Sequence, residues 1–384
     1  MQRYVLGASL GSGAFGSVRT VHLASDGRKF ALKTLKKRAA SMECALELRE
    51  VRALKVLRHP HVIALHEIIF ADGQLHFVLQ HMEMSLLGLV DKRGAERRGS
   101  TLPPLSEGDI STIFRQVFQA LAFIHESGWV HRDVKPENIL LRQDHVLVAE
   151  DGDHNLDKAY YCALGDFGMA RRLPSLTENP PTRKRARVAD SKGPSSDSKR
   201  PLTDYVATRW YRAPELLLHS RDYGPAADVW AAAVVMAEAF RREALFPGEN
   251  EDETMRQIFE ARGSPSSTRW PEGVRLAERA GTGDLPRLTA PHIGVFVPTA
   301  GAEAQQVLDR VLQLDPEKRP SAAEVLRLPF FAMAPAAQAP ATTAQRRTSS
   351  GPSPAKGVLT DRWLHRKSTG RSGVTRPAVD VTGT

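Results

Sequence analysis

The sequence predicts an α+β fold in two unequal parts, strands first and helices after. Two observations carry this. Ser17–His22 and Lys29–Leu35 alternate as strands, Val62–Phe70 and Leu75–His81 look like two more, and with the Leu10–Val18 stretch these make a five-stranded layer. After it, apolar residues recur at helical spacing in Ile110–His125, Asp228–Phe240, Met255–Arg262 and Ala302–Leu314. At 384 residues the chain has room for one large two-lobed domain or for two to three ordinary ones.

Composition narrows the class. Two cysteines, Cys44 and Cys162, make no disulfide framework and lack metal-ligand spacing, which points to a reducing compartment such as the cytoplasm. No apolar run reaches the roughly 20 residues of a membrane span, and Met1–Leu10 lacks a signal-peptide plan, so no membrane partner is expected. The net charge of +9 invites a nucleic-acid reading, but its distribution argues against one. Residues 171–200 hold nine basic and three acidic side chains, and residues 335–384 hold eight and two; each segment is +6, which leaves −3 for the rest. Both segments have the composition of disordered chain, so no basic groove is expected in the folded body.

Taken in order, Leu10 to Val18 reads Leu-Gly-Ser-Gly-Ala-Phe-Gly-Ser-Val. Glycines at 11, 13 and 16 let backbone approach phosphate, and Val18 is placed to cover a base. Dinucleotide folds share the pattern, but there a helix follows. Here two more strands follow, turned at Asp26-Gly27, so a hairpin lid is expected. Lys33 lies on the third strand. The helical spacing of Met42–Leu57 carries Glu47 and Glu50, and such a glutamate can pair with Lys33 to fix it on phosphates. Leu79 to Met82 lies where a hinge should pass, and Asp91–Pro104 reads as a surface loop. Ile113, Phe114, Val117, Leu121 and Ile124 mark the core face of the next helix.

That helix presents His131-Arg-Asp-Val-Lys-Pro-Glu-Asn138. Asp133 is placed to accept the proton of an attacking hydroxyl, Lys135 to neutralise a transferring phosphate, and Asn138 to hold a metal ion. Phosphoryl transfer asks for this kind of set, since it depends on positioning and electrostatics. An inserted loop is expected within Gln143–Tyr160, after which Asp166-Phe167-Gly168 supplies a second metal ligand in Asp166. Thr203-Asp204-Tyr205, followed by Thr208-Arg-Trp-Tyr-Arg-Ala-Pro-Glu215, sets two hydroxyls near arginines, which suits ordering by phosphorylation. Arg183–Arg187 reads as solvated charge, with a nuclear-import signal as the alternative. Asp228–Phe240 is apolar on every face and should be a buried central helix, with Asp228 tying down the 131–138 backbone. Arg319 is expected to pair with Glu215 in the interior.

Together these motifs resemble the eukaryotic protein kinase family from about residue 4 to 331. The resemblance implies a bilobal fold: an N-lobe over 4–81 with one main helix, and a mainly helical C-lobe over 82–331 with inserts near 143–160 and 173–202. A disordered basic tail over 332–384 follows. It also implies ATP and Mg2+ as cofactors. ATP would meet Leu10, Gly11, Ser12, Gly13, Ala14, Phe15, Gly16, Val18, Ala31, Lys33, Leu79, Gln80, Met82 and Leu140, and the metal would meet Asn138 and Asp166. Glu50 rather than Glu47 would be the partner of Lys33.

Lys135-Pro136-Glu137 is similar to serine/threonine rather than tyrosine kinases. The Thr-Asp-Tyr triplet and Trp210-Tyr211-Arg212 resemble the CMGC group. Leu48–Val51, Leu121–His125 and Trp270–Gly273 are closer still to the male germ cell-associated kinase (MAK/RCK) family, whose members act on cilium or flagellum length. That likeness implies protein substrates with a Ser or Thr acceptor, autophosphorylation of Tyr205, an upstream kinase for Thr203 and no need of a cyclin. Nucleus and cilium or flagellum join the cytoplasm as locations. Arg49, Arg132 and Arg171 would hold phospho-Thr203, and Arg209 and Arg212 phospho-Tyr205. A cyclin-dependent or mitogen-activated kinase proper is one alternative. A silent scaffold is another, but it predicts loss of Lys33, Asp133 or Asp166, and all three are present. Departures fall at Leu79, Gln80, Gly165 and Ala233 and in the long basic insert, and none removes a catalytic group.

Overall fold

Strands β1 (Tyr4–Ser12), β2 (Gly16–Leu23) and β3 (Lys29–Leu35) form an antiparallel meander. They belong to a computed structural model that describes residues 3–13, 16–36, 47–71, 73–94, 105–150, 153–173, 209–220, 223–281 and 288–332. Helix α1 (Arg49–Val56) follows, then β4 (Leu65–Ala71) and β5 (Gln74–Gln80), which complete a five-stranded sheet in the order β1-β2-β3-β5-β4. Alternation explains its two faces. Phe30, Leu32 and Val78 cluster with Val21 on one, while Ala31, Phe77 and Leu79 join Val51 and Leu54 of α1 in the main core. Two ends differ from expectation. Val62 makes only an isolated parallel bridge to Leu164, and Met42–Leu46 of the predicted helix lies outside the described residues.

β6 (Met84–Ser85) then leads into α2 (Leu86–Gly94). The first four residues of the expected 91–104 loop are therefore helical, because buried Leu86, Leu89 and Val90 hold that turn in the core; 95–104 lies outside the described residues. α3 (Glu107–Glu126) starts at a capping box in which Ser106 and Asp109 satisfy each other's backbone amides, and it buries the predicted apolar stripe. It ends just before β7 (Trp129–Val130), from which the 131–138 loop emerges.

The insert after that loop corrects the sequence reading. β8 (Ile139–Glu150) and β9 (Asp153–Leu164) pair without a break from Ile139↔Leu164 to Glu150↔Asp153, so residues 143–160 extend a hairpin instead of forming a loop. Polar residues interrupt any strand periodicity over 143–160, so the sequence pattern does not mark the strands, although Asp151-Gly152 is a dipeptide that favours two-residue hairpin connections. β10 (Arg171–Arg172) pairs with β7. Residues 174–208, which include Arg183–Arg187, Thr203 and Tyr205, lie outside the described residues.

The C-terminal half is helical: α4 (Pro214–Leu217), α5 (Pro225–Arg241), α6 (Glu251–Arg262), α7 (Pro271–Arg279) and α8 (Ala302–Val311), then the short α9 (Ala322–Val325) and α10 (Pro329–Ala332). α5 is the central one, with every residue from Ala227 to Phe240 buried, Ala233 included. The described residues all lie within residues 1–337, which form one compact unit, and 338–384 lie outside the described residues. No helix among the described residues is long and apolar enough to cross a membrane.

Candidate active site

Lys33 sits mid-strand, paired with Val18 on β2 and Phe77 on β5, so its backbone is held from both sides. Its Nζ lies 2.7 Å from Glu50 Oε1 and 3.1 Å from Asp166 Oδ1. Glu50 is thus the glutamate that reaches it; Glu47 is exposed and lies 3.8 Å from Arg52. Glu50 occupies the first turn of α1, where a carboxylate also gains from the helix dipole. Burial alone would lower the Lys33 pKa, but the charges of Glu50 and then Asp166 outweigh it and hold it above the ordinary lysine range. Burial opposes ionisation of Asp166 too, yet the Lys33 charge keeps its carboxyl below the ordinary range. Both ionise.

Asp166 takes a left-handed φ of 54° and accepts from Gly168 N at 3.3 Å, which turns the chain sharply after it. Phe167, fully buried, packs edge-on against His131 with ring centroids 4.8 Å apart. His131 in turn lies 2.9 Å by Nε2 from the Gly165 carbonyl. The two loops therefore share one hydrophobic and one polar contact.

Asp228, at the start of α5, braces the 131–138 loop. Its Oδ2 accepts from His131 N and its Oδ1 from Arg132 N, both at 2.8 Å, while Tyr223 Oη donates to Oδ1 at 3.1 Å. His125 Nε2 lies 3.0 Å from Oδ2. These bonds hold Arg132 at φ 71°, a strained value for a side-chain-bearing residue. Past it, Asp133 Oδ2 lies 3.1 Å from Lys135 Nζ and 3.1 Å from Asn138 Nδ2. Asn138 Nδ2 also donates to the Asp133 carbonyl at 2.7 Å, so the donor side of the amide is spent here, and Oδ1 is an acceptor of the kind that can bind a cation. A cavity of about 350 Å³ is bounded by Lys33, Leu35, Glu50, Asp133 and Asp166. A second, of about 210 Å³, lies between Asp133 and the Tyr211–Ala213 segment.

In the glycine-rich turn between β1 and β2, the three glycines differ. A Cβ at Gly11 or Gly13 would meet nothing within 4 Å, whereas one at Gly16 would collide with the Thr34 carbonyl oxygen. Gly13 N donates to Gly16 O at 2.9 Å and closes the turn; Ala14 and Phe15 lie outside the described residues. Leu10 and Ser12 are exposed and Val18 half-buried. Ala31 pairs with Leu79 across the sheet, both buried with Met82, and Gln80 N donates to Ala64 O at 2.9 Å. Gly165 makes room for Leu140: a Cβ there would stand 2.9 Å from Leu140 Cδ1.

The expected phosphate-holding arginines split into two sets. Arg132 is coupled to Arg171 and Arg49, both exposed; burial first, and then these like charges, lower its pKa. Arg171 and Arg49 both repel the Arg132 guanidinium, and an anion taken up beside it would relieve that repulsion. Arg209 and Arg212 do not present themselves in that way. Arg209 is buried and donates to the Glu249 carbonyl at 2.7 Å, and Arg212 pairs with Glu251 at 3.1 Å, so the entry to α6 already engages both. Arg319 meets Glu215 through both guanidinium nitrogens, at 2.8 and 2.7 Å. The sequence reading missed the bond from Tyr211 Oη to Glu238 Oε2, 2.9 Å long. Its signal was present: Glu238 is the lone charged residue from Val229 to Phe240.

A strand lysine bonded to a helix glutamate and to the aspartate before Phe-Gly, facing an Asp-Lys-Asn loop, is the set of parts by which protein kinases grip MgATP. The chain belongs to the protein kinase family: the Protein kinase domain matches residues 4–331. It is similar to serine/threonine-protein kinase ICK of Rattus norvegicus, at 36% identity over 86% of this chain and 45% of that protein. It is also similar to serine/threonine-protein kinase MAK of Homo sapiens, at 35% over 86% and 46%. Cyclin-dependent kinase F-4 of Oryza sativa subsp. japonica matches at 34% over 86% and 62%. The chain thus spans about half the length of the mammalian relatives it matches.

Proposed function

We propose that the chain is a protein serine/threonine kinase that transfers the γ-phosphate of ATP to a protein hydroxyl. The observation that carries this is the Lys33 bridge, at 2.7 Å to Glu50 and 3.1 Å to Asp166, which brings the phosphate-gripping and metal-holding groups of the two lobes together. Lys33, held by Glu50, positions the α- and β-phosphates. Asp133 orients the acceptor hydroxyl and takes its proton, and Lys135 at 3.1 Å offsets charge on the phosphoryl group in transit. The carboxylate of Asp166 and amide oxygen of Asn138 are hard oxygen donors, which fit Mg2+ shared with phosphates. Bound there, Mg2+ would neutralise charge building on those phosphates.

The finer reading is a MAK/RCK-like kinase, supported by the relatives' names and by the Thr203-Asp204-Tyr205 triplet. The Arg49, Arg132 and Arg171 cluster suits phospho-Thr203, placed there by an upstream kinase, and phospho-Tyr205 would take Arg212 by displacing Glu251. Glu50 already meets Lys33 in the chain alone, which supports activity without a cyclin-like partner. Action on cilium or flagellum length, from cytoplasm, nucleus or the organelle itself, rests on resemblance. The test is transfer of labelled phosphate from ATP to a generic basic protein, with mass spectrometry of Thr203 and Tyr205. Wild type should label substrate and Tyr205, and Asp166→Asn should label neither. Silence of wild type even after Thr203 is phosphorylated by a supplied kinase overturns the reading in favour of a scaffold.

A further inference from the structure

The ribbon of β8 and β9 is fixed at its root, beside the residues that would hold the metal. Asn138 directly precedes β8, and Asp166 lies two residues after β9 ends. At this root both outer edges are occupied. On one side β6 pairs with Leu140 and Leu141, and Glu83 Oε2 accepts from Gln143 N at 3.2 Å. On the other, the buried amide of Gln116 on α3 stands in for a strand. Its Oε1 accepts from Cys162 N and its Nε2 donates to the Tyr160 carbonyl, both at 2.8 Å. Beyond Gln143 the ladder runs on to Glu150↔Asp153, about 23 Å further. Among the described residues no third strand pairs with either arm there.

We infer that the outer edge of β8 is a docking site for a basic, extended segment of the protein acceptor, taken up as an added strand. The inference rests on the kinase reading above. A strand edge presents unpaired amides and carbonyls. An extended peptide satisfies them by main-chain pairing, while side-chain pattern and charge choose which peptide. Short length, lysine and proline are the usual protections of an edge. From Asp144 to Glu150, β8 has neither lysine nor proline, and its centre reads Val146-Leu147-Val148-Ala149. Charge then selects the partner. Residues 143–160 carry five acidic side chains against one lysine, so a strand with Lys or Arg at its ends and apolar residues between them is complementary. The same charges reject a second copy of the chain. Antiparallel pairing of two such edges about Leu147 sets Asp144 opposite Glu150 twice, and like charges directly opposite are destabilising. A segment paired on β8 continues the line of β6 and is tethered to the body that holds Asn138 and Asp166. That tether raises the effective concentration of the acceptor hydroxyl at Asp133.

The experiment sets the full chain against a synthetic peptide, Lys-Arg-Val-Thr-Val-Thr-Val-Arg-Lys, and its counterpart with Glu at every basic position. Fluorescence anisotropy reads binding, and steady-state transfer reads the KM of a generic acceptor peptide with and without the basic segment fused to it. One variant cuts the ribbon at its root, with Asn-Gly in place of residues 144–159 between the paired Gln143 and Tyr160. The other is Asp144→Lys with Glu150→Lys, which keeps the ribbon whole and serves if the cut variant does not fold. Wild type should bind the basic peptide at least about tenfold tighter than the acidic one, and fusion should lower the acceptor KM about tenfold. The cut variant should bind neither peptide, keep the KM of the plain acceptor within about twofold and lose the gain from fusion. The double lysine variant should reverse the preference. Equal binding of the basic peptide by wild type and the cut variant overturns the inference, as does an unchanged preference in the double variant. Self-association of wild type on gel filtration that vanishes in the cut variant makes the occupant a second copy and overturns it as well. Transfer without peptide binding overturns the inference alone. Peptide binding without transfer, with plain acceptor and ATP both saturating, overturns the kinase reading and with it the acceptor's place on this edge.

Discussion

At the scale of single residues, the site is a set of buried charges each made tolerable by a specific partner. Lys33, Glu50 and Asp166 form a closed group, with 2.7 and 3.1 Å contacts sharing one ammonium. Glu238 is the exception, because its partner is a neutral phenol. A carboxyl whose folded pKa is raised from 4.5 to about 7 binds a proton in the folded state over a range where the unfolded chain has lost it. The stabilising contribution is complete below pH 4.5 and is lost as pH rises through 7. At about 1.4 kcal/mol per pKa unit this amounts to roughly 3 kcal/mol. Glu238→Gln has no charge to bury, so it should gain that much stability over wild type between pH 5 and pH 8. Urea unfolding of both proteins at the two pH values measures the difference. Asp166 and Asp228, whose pKa values are lowered, slope the other way but are common to both proteins and cancel. A gain that is equal at both pH values would mean that Glu238 does not titrate in this range.

At the scale of elements, the glycine-rich turn separates steric need from ligand need. Gly16 faces the Thr34 carbonyl on β3, while Gly11 and Gly13 face open space. Gly16→Ala must push two hydrogen-bonded strands apart, and a cost of about 1–3 kcal/mol is expected, as for other overpacked sites. Gly11→Ala and Gly13→Ala should leave the thermal midpoint within about 2 °C and act on ATP KM instead. Equal melting points for all three would show that β2 and β3 yield at no cost. The contrast also marks what was legible beforehand. The glycine spacing could be read, but not which glycine serves the sheet, since that depends on the Gly16↔Leu35 register. Strands with one buried face announced themselves, whereas the 143–160 ribbon did not. The choice of Glu50 over Glu47 turns on how α1 is rotated over β3, which spacing alone leaves open. The Tyr211–Glu238 bond joins residues 27 apart, and the partners of Arg209 and Arg212 come from the entry to α6, 40 and 39 residues on, pairings that no local pattern encodes.

For the whole molecule, the question is what keeps the Tyr211–Ala213 segment, the central helix and the last helices in one arrangement. Arg319 joins all three. Its two terminal nitrogens meet both oxygens of Glu215 at 2.8 and 2.7 Å, 104 residues away in the chain. The same side chain donates to the carbonyls of Gln313, Leu314 and Ala226 and lies 4.9 Å over the ring of Trp230 on α5. A planar fork can do this, whereas a lysine ammonium is a point donor on a flexible stem. Removing either partner leaves the other charge buried, which typically costs about 3–5 kcal/mol. We therefore expect Arg319→Met and Glu215→Leu each to lose that much in urea unfolding, and the double variant to lose clearly less than their sum. Arg319→Lys should recover little. The exposed Arg256–Glu260 pair on α6 is the internal comparison, and Glu260→Ala should cost no more than about 0.5 kcal/mol. If Arg319→Lys unfolds within about 1 kcal/mol of wild type, charge alone holds this junction and the fork geometry is incidental. If it unfolds with the Met variant, the fork is what carries the position of Glu215, and with it that of Tyr211 four residues earlier, from the turn before α9 to the groove beside Asp133.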